Sequence, residues 1–122
     1  MKKRILVVED NPDNMKLVTW ILEDENYDVQ GVFTGEECLE IVNEQDFDII
    51  LMDISLPGMS GKDATRQLRS QERFQDLPII ALTAHAIKGE DEEILQSGVN
   101  ELITKPLDEE ALLARLRIIL GE

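Results

Sequence analysis

Phe47-Asp48-Ile49-Ile50-Leu51-Met52 runs straight into Asp53-Ile54-Ser55-Leu56-Pro57-Gly58-Met59-Ser60-Gly61. The first half is nearly continuous in apolar character. A short run of that kind suits a strand buried on both faces, as in a parallel sheet. The run stops at a carboxylate, so Asp53 stands at the carboxyl end of the predicted strand.

Working outward, Ile5 to Val8 and Ile79 to Leu82 have the same continuous pattern. Val29 to Phe33 is interrupted by Gln30 and Gly31 and reads as an edge strand. Glu101 to Thr104 is the weakest of the five. Helical spacing fills the gaps. Met15, Val18, Ile21, Leu22 and Glu25 follow a 3.6-residue period, the first four apolar, with Asn11 placed to cap that helix and Pro12 at its first position. Thr34 to Glu37 reads as a capping box. Ser60 to Asp63 opens a third helix that turns Ala64 and Leu68 inward. Asp108 caps the last, whose inner stripe is Leu112, Leu116, Ile119 and Leu120. A fourth helix is expected from about Ala86 to Ser97, ended by Gly98. It should be marginal, because Gly89 costs about 1 kcal/mol in a helix interior and Glu90-Asp91-Glu92-Glu93 repel one another. Strand and helix alternating five times, with short connections and right-handed crossovers, give a doubly wound α/β domain. Its ligands bind beyond the carboxyl ends of the strands, near the switch in strand order.

The chain of 122 residues suits one domain, residues 1–122. With 43% hydrophobic and 31% charged residues, it can fill one core under a solvated surface. The formal net charge is −14, and between Lys16 and Lys62 there are eleven acidic residues and no basic ones. That balance repels nucleic acid and acidic membranes, so neither is an expected direct partner. Lys62, Arg66, Arg69 and Arg73 read as one solvated helix face, with a protein-docking patch as the second reading. No apolar run approaches the ~20 residues of a membrane span. The apolar stretch behind Met1-Lys2-Lys3-Arg4 ends at Glu9-Asp10, too short for a signal peptide, which points to the cytoplasm. The single cysteine, Cys38, sits in a helical apolar pattern and reads as a small buried hydrophobe. One cysteine and one histidine exclude the usual zinc sites.

Glu9 and Asp10 follow the first strand, Asp53 the third, Thr83 ends the fourth and Lys105 the fifth. In a parallel sheet all of them converge on one rim. Any one alone reads as a cap or a solvated turn; the coincidence over four strands is the signal. Three carboxylates brought together raise one another's proton affinity, and a hard divalent cation relieves the repulsion. Magnesium, with manganese as a substitute, suits such oxygen donors and offsets charge on a phosphate. The lysine can neutralise a further oxygen and the threonine hydroxyl can donate to another. The Gly-rich loops of nucleotide-binding enzymes are missing. Two carboxylates also serve glycoside hydrolysis, but no aromatic residue stands at the rim to hold a sugar.

The chain resembles the receiver domain of two-component response regulators over essentially its whole length. The matching stretches are Ile5 to Asn11, Leu51 to Gly61, Pro78 to Ala84, and Thr104-Lys105-Pro106. The resemblance implies a flavodoxin-like three-layer sandwich with a five-stranded parallel sheet of order 2-1-3-4-5. It implies that Asp53 is phosphorylated by a phosphohistidine of a histidine kinase or phosphotransfer protein. Asp10, Asp53 and the Ser55 carbonyl would hold the metal directly, and Glu9 through water. Thr83, the Ala84 amide and Lys105 would contact the phosphoryl group, with a cis peptide between Lys105 and Pro106. Many receivers place Tyr or Phe where this chain has Leu102, so the Thr83–Leu102 switch is expected to give a muted or shifted readout. In the family, side chains near the positions of Ser55 and His85 border the path of attacking water; the small Ser55 would leave that path open, and His85 reads as a tuning group, a docking contact or a solvated helix start. Output is expected through the fourth helix, fifth strand and fifth helix, and kinase docking through the first helix and the rim loops. A stand-alone regulator signalling by protein contact, as a monomer or weak dimer, is the leading reading. A receiver of a hybrid kinase, a DNA-binding regulator lacking its output domain here, and a phosphorylation-independent interaction module are the competing ones.

Overall fold

The computed structural model describes residues 2–84 and 89–121. Five strands, β1 (Arg4–Val8), β2 (Asp28–Val32), β3 (Ile49–Asp53), β4 (Ile79–Thr83) and β5 (Glu101–Thr104), alternate with helices α1 (Pro12–Asp24), α2 (Gly35–Ile41), α3 (Gly61–Arg69), α4 (Glu90–Gln96) and α5 (Glu109–Leu120). A 3-10 turn, Glu72–Phe74, follows α3. All strand pairs are parallel, in the order β2-β1-β3-β4-β5. The chain runs from β1 out to the edge strand β2 and then back across to β3, so the switch in strand order falls between β1 and β3.

Side chains of the strands alternate between two cores. Leu6, Val8, Ile50, Met52, Ile79 and Ala81 pack with Cys38 of α2, Ala64 and Leu68 of α3 and Ile94 of α4. Ile5, Val7, Ile49, Leu51, Ile80 and Leu82 pack with Met15, Val18, Ile21 and Leu22 of α1 and Leu112, Leu113 and Leu116 of α5. The continuous apolar runs are thus explained by burial on both faces. Leu113 joins the inner stripe of α5, with Ile119 and Leu120 only partly buried, while Glu25 is the exposed cap of α1. The caps stand where the sequence puts them. Asn11 accepts from the Asp13 and Asn14 amides, Thr34 from Glu37, Ser60 from Asp63, and Asp108 from Glu110 and Ala111. Cys38 is fully buried, and burial pushes its thiol up to about 12.

The ends of two strands and the place of Gly89 differ from expectation. Phe33 and Phe47 lie outside β2 and β3; Phe33 is exposed, and Phe47 packs on the core beneath the Arg4 guanidinium, 4.9 Å from its ring centroid. Among the described residues the fourth helix begins at Glu90, and residues 86–88 of its expected start lie outside them. Gly89 is not in the helix interior: it precedes α4 with φ 99°, a conformation glycine reaches without steric cost. The four carboxylates occupy the first turn of α4, where the helix dipole favours negative charge and offsets part of their repulsion.

The basic residues do not form one solvated face either. Lys62 pairs with Glu93 and Arg66 with Asp63. Arg69 is instead a clamp. It donates to the carbonyls of Gly98 (2.9 Å), Phe74 (2.6 Å) and Leu77 (2.7 Å) and to Asn100 Oδ1 (2.9 Å), tying the end of α3 to the loops that enter β4 and β5. Arg69→Met keeps the stem and removes every donor. It is expected to lower unfolding free energy by about 2 to 4 kcal/mol, because carbonyls are left without partners. Urea denaturation measures this, and a change below ~1 kcal/mol would refute the clamp.

Candidate functional site

The alternation that builds the cores also sorts the rim. Counting two by two from Ile5, Ile49 and Ile103, which face α1 and α5, Glu9, Asp53 and Lys105 come out on that same side. Counting from Ala81 and Leu102, which face the other core, Thr83 comes out opposite them, paired with Thr104 in register. The sheet therefore gathers Glu9, Asp53 and Lys105 on one side of the rim and puts Thr83 and Leu102 on the other.

The geometry bears this out. Lys105 Nζ lies 3.0 Å from Glu9 Oε2 and 3.2 Å from Asp53 Oδ2. Glu9 is 1% exposed and Asp53 3%, whereas Asp10 is exposed. Carboxylate oxygens of Glu9, Asp10 and Asp53 lie within 4.8 Å of one another. The Ser55 amide donates to Asp53 Oδ1 at 2.9 Å. The backbone fixes these positions: the Glu9 amide bonds the Val32 carbonyl (3.1 Å), Ile54 bonds Leu82 (3.0 Å), and the Lys105 amide bonds the Thr83 carbonyl (2.7 Å). The Lys105–Pro106 peptide is cis. Thr83 is 2% exposed, and Ala84 is exposed at the rim. His85 lies outside the described residues.

Burial is the main cause that raises the proton affinity of the Glu9 carboxyl; Lys105 opposes it and Asp53 adds to it. Burial also works against the Lys105 ammonium, but its ion pairs with Glu9 and Asp53 together outweigh that and raise it above the ordinary lysine value. Three carboxylates against one ammonium leave excess negative charge in a largely dry corner. That all-oxygen, acid-rich set fits a small divalent cation such as magnesium and does not fit a soft metal.

Two further residues shape the cluster. Gly61 opens α3 against the end of β3, where an added Cβ would lie 2.2 Å from the Asp53 carbonyl oxygen. Asn14, in the first turn of α1, donates from its side-chain amide to Glu9 Oε1 at 3.3 Å. Gly61 ends one of the stretches that resemble the family, with no role assigned to it there, and Asn14 stands outside those stretches. The available signals were a glycine directly after a capping serine and a polar side chain five residues beyond Glu9. Beside the cluster, Leu17, Val18, Ala84, Pro106 and Leu107 line a groove of about 410 Å³.

A 2-1-3-4-5 parallel sheet with this cluster at its carboxyl edge has the architecture of a receiver domain. The family model of the response regulator receiver domain matches residues 5–117, and the chain belongs to that family, the receiver domains of two-component response regulators. It is 38% identical over 122 residues to the polar-differentiation response regulator DivK of Brucella ovis, covering 100% of this chain and 99% of DivK. It is 43% identical over 112 residues to the sensor protein GacS of Pseudomonas syringae pv. syringae, covering 89% of this chain; the aligned stretch spans only 12% of the length of GacS. A crystal structure of the receiver domain of sensor histidine kinase PA1611 from Pseudomonas aeruginosa superposes with a TM-score of 0.93 at 38% identity, covering 100% of both chains, and carries a magnesium ion coordinated in its active-site cleft.

Proposed function

We propose that this domain, residues 1–122, accepts a phosphoryl group on Asp53 from a phosphohistidine of a histidine kinase or phosphotransfer protein and signals by protein contact. The observation that carries the reading is the Lys105 ammonium 3.2 Å from Asp53 Oδ2, beside two further carboxylates. An Asp53 oxygen attacks phosphorus in line. The P–N bond of the donor breaks, its electron pair stays on the imidazole nitrogen, and an acyl phosphate forms. Lys105, already at the acceptor oxygen, takes the charge of a phosphoryl oxygen as the bond forms. The Thr83 hydroxyl and the Ala84 amide hold the remaining oxygens. Glu9, Asp10, Asp53 and the Ser55 carbonyl would hold magnesium, with manganese as a substitute, and the ion supplies charge neutralisation for the transferred group. Movement of Thr83 is passed to Leu102 on the same side of the sheet and read out through α4, β5 and α5.

The donor docks on α1 and the rim loops, where Leu17, 49% exposed, lines the groove and Trp20 of the same helix is 64% exposed. Among the described residues no helix is long and apolar enough to cross a membrane; the domain acts in the cytoplasm on a downstream protein, as a monomer or weak dimer. The likeness to one segment of GacS favours a second reading, a receiver within a longer hybrid kinase; the length of the native reading frame separates the two. With magnesium and acetyl phosphate, intact mass should rise by ~80 Da, one phosphoryl group on a carboxylate nucleophile. Excess EDTA should abolish the gain. A gain insensitive to EDTA contradicts the metal's role.

A further inference from the structure

Glu9 carries a carboxylate into a nearly dry position, and burying a charge is costly unless its oxygens find donors. Its two oxygens are served from opposite directions. Oε2 takes the Lys105 ammonium at 3.0 Å. Oε1 takes the Asn14 side-chain amide at 3.3 Å and the Asn11 backbone amide at 3.4 Å. Asn14 is itself held, because its backbone N–H donates to the capping Asn11 side chain at 3.1 Å. It is half-buried beside the core stripe of α1 without belonging to it.

The residue type matters. A cation at position 14 would neutralise Glu9, and a hydrocarbon would leave Oε1 with one long bond and let the carboxylate swing wholly onto Lys105. A neutral donor fixes the plane of the carboxylate while leaving its charge available. We propose that Asn14 is a positioning residue for the cation site: by holding Oε1 of Glu9 it keeps that carboxylate turned toward Asp10 and Asp53 rather than surrendered to Lys105. The inference rests on the magnesium reading given above.

Outer partners of metal-holding groups are commonly worth 10- to 100-fold in affinity. The Asn14 bond is neutral and long, so the lower end applies. Asn14→Leu, of similar volume, should weaken magnesium binding about 10-fold by calorimetric titration. In a Glu9→Gln background the same substitution should change the dissociation constant by less than about 2-fold, since the group it positions has lost its charge. Urea denaturation of the same proteins separates folding from binding. An unchanged constant in Asn14→Leu, or an equal loss in both backgrounds, overturns the proposal while leaving the magnesium reading intact. A parent protein that binds no magnesium ends the magnesium reading, and this proposal with it.

Discussion

Asp53→Ala is expected to take up no phosphoryl group under conditions in which the parent protein gains ~80 Da on its acceptor carboxylate. The loss should be complete rather than partial, because the other two carboxylates are differently placed. Glu9 is bonded through both oxygens, to Lys105 on one and to Asn11 and Asn14 on the other. Asp10 is exposed, away from the lysine that balances charge at the acceptor. The fold should survive. Removing one partner of a buried ion pair commonly costs 3 to 5 kcal/mol because a charge is stranded, but here Lys105 keeps Glu9 at 3.0 Å. One like-charge contact disappears at the same time. Urea denaturation should therefore find Asp53→Ala within about 1 kcal/mol of the parent or above it. A mass gain retained by Asp53→Ala would move the acceptor elsewhere.

Gly61→Ala is expected to destabilise the domain by at least about 3 kcal/mol, at or beyond the upper end of ordinary overpacking. Helix propensity alone argues the other way, since alanine is favoured over glycine by about 1 kcal/mol in a helix. Sterics win because the methyl would lie 2.2 Å from the Asp53 carbonyl oxygen and 2.9 Å from both the Asp53 carbonyl carbon and Ile54 Cα. All of these are backbone atoms, so no side chain can turn away. The group that must move is the backbone of the acceptor, so phosphoryl uptake should slow together with the loss of stability. A Gly61→Ala protein with a raised urea midpoint would contradict the close approach.

Much of this was legible in the sequence for reasons that can be named. Ile49 to Met52 and Ile79 to Leu82 are buried on both faces, and a strand so placed can only be apolar throughout. Gly31 and Gln30 mark the edge strand, and Gly31 leaves room for Met15, whose sulfur would lie 2.8 Å from an added Cβ. Helix starts were legible at Asn11, Thr34, Ser60 and Asp108 because capping is a local bond between neighbours in the chain. What was not legible depends on distant partners. The Arg69 clamp joins residues 29 and 31 apart, and nothing local distinguishes it from a solvated arginine. Among the described residues α4 starts at Glu90 behind Gly89 without a side-chain cap, so no local bond in the sequence marks that start.

The gathering of Glu9, Asp53, Thr83 and Lys105 followed from the rule that parallel strands end on one rim. Their division into two sides did not follow from that rule, though it was available from the period of two along each strand. That count separates Thr83 from the other three. It also explains why Lys105 reaches both Glu9 and Asp53 across a sequence separation of 96 and 52 residues.

The proposed acyl phosphate forms at Asp53 and at no other carboxylate. Borohydride reduction of the phosphorylated protein, followed by peptide mapping, tests it directly, since an acyl phosphate is reduced to an alcohol and marks its own position. Homoserine at position 53, formed only after treatment with magnesium and phosphodonor, is the expected result. Reduction at Glu9, at Asp10 or at no carboxylate would contradict it.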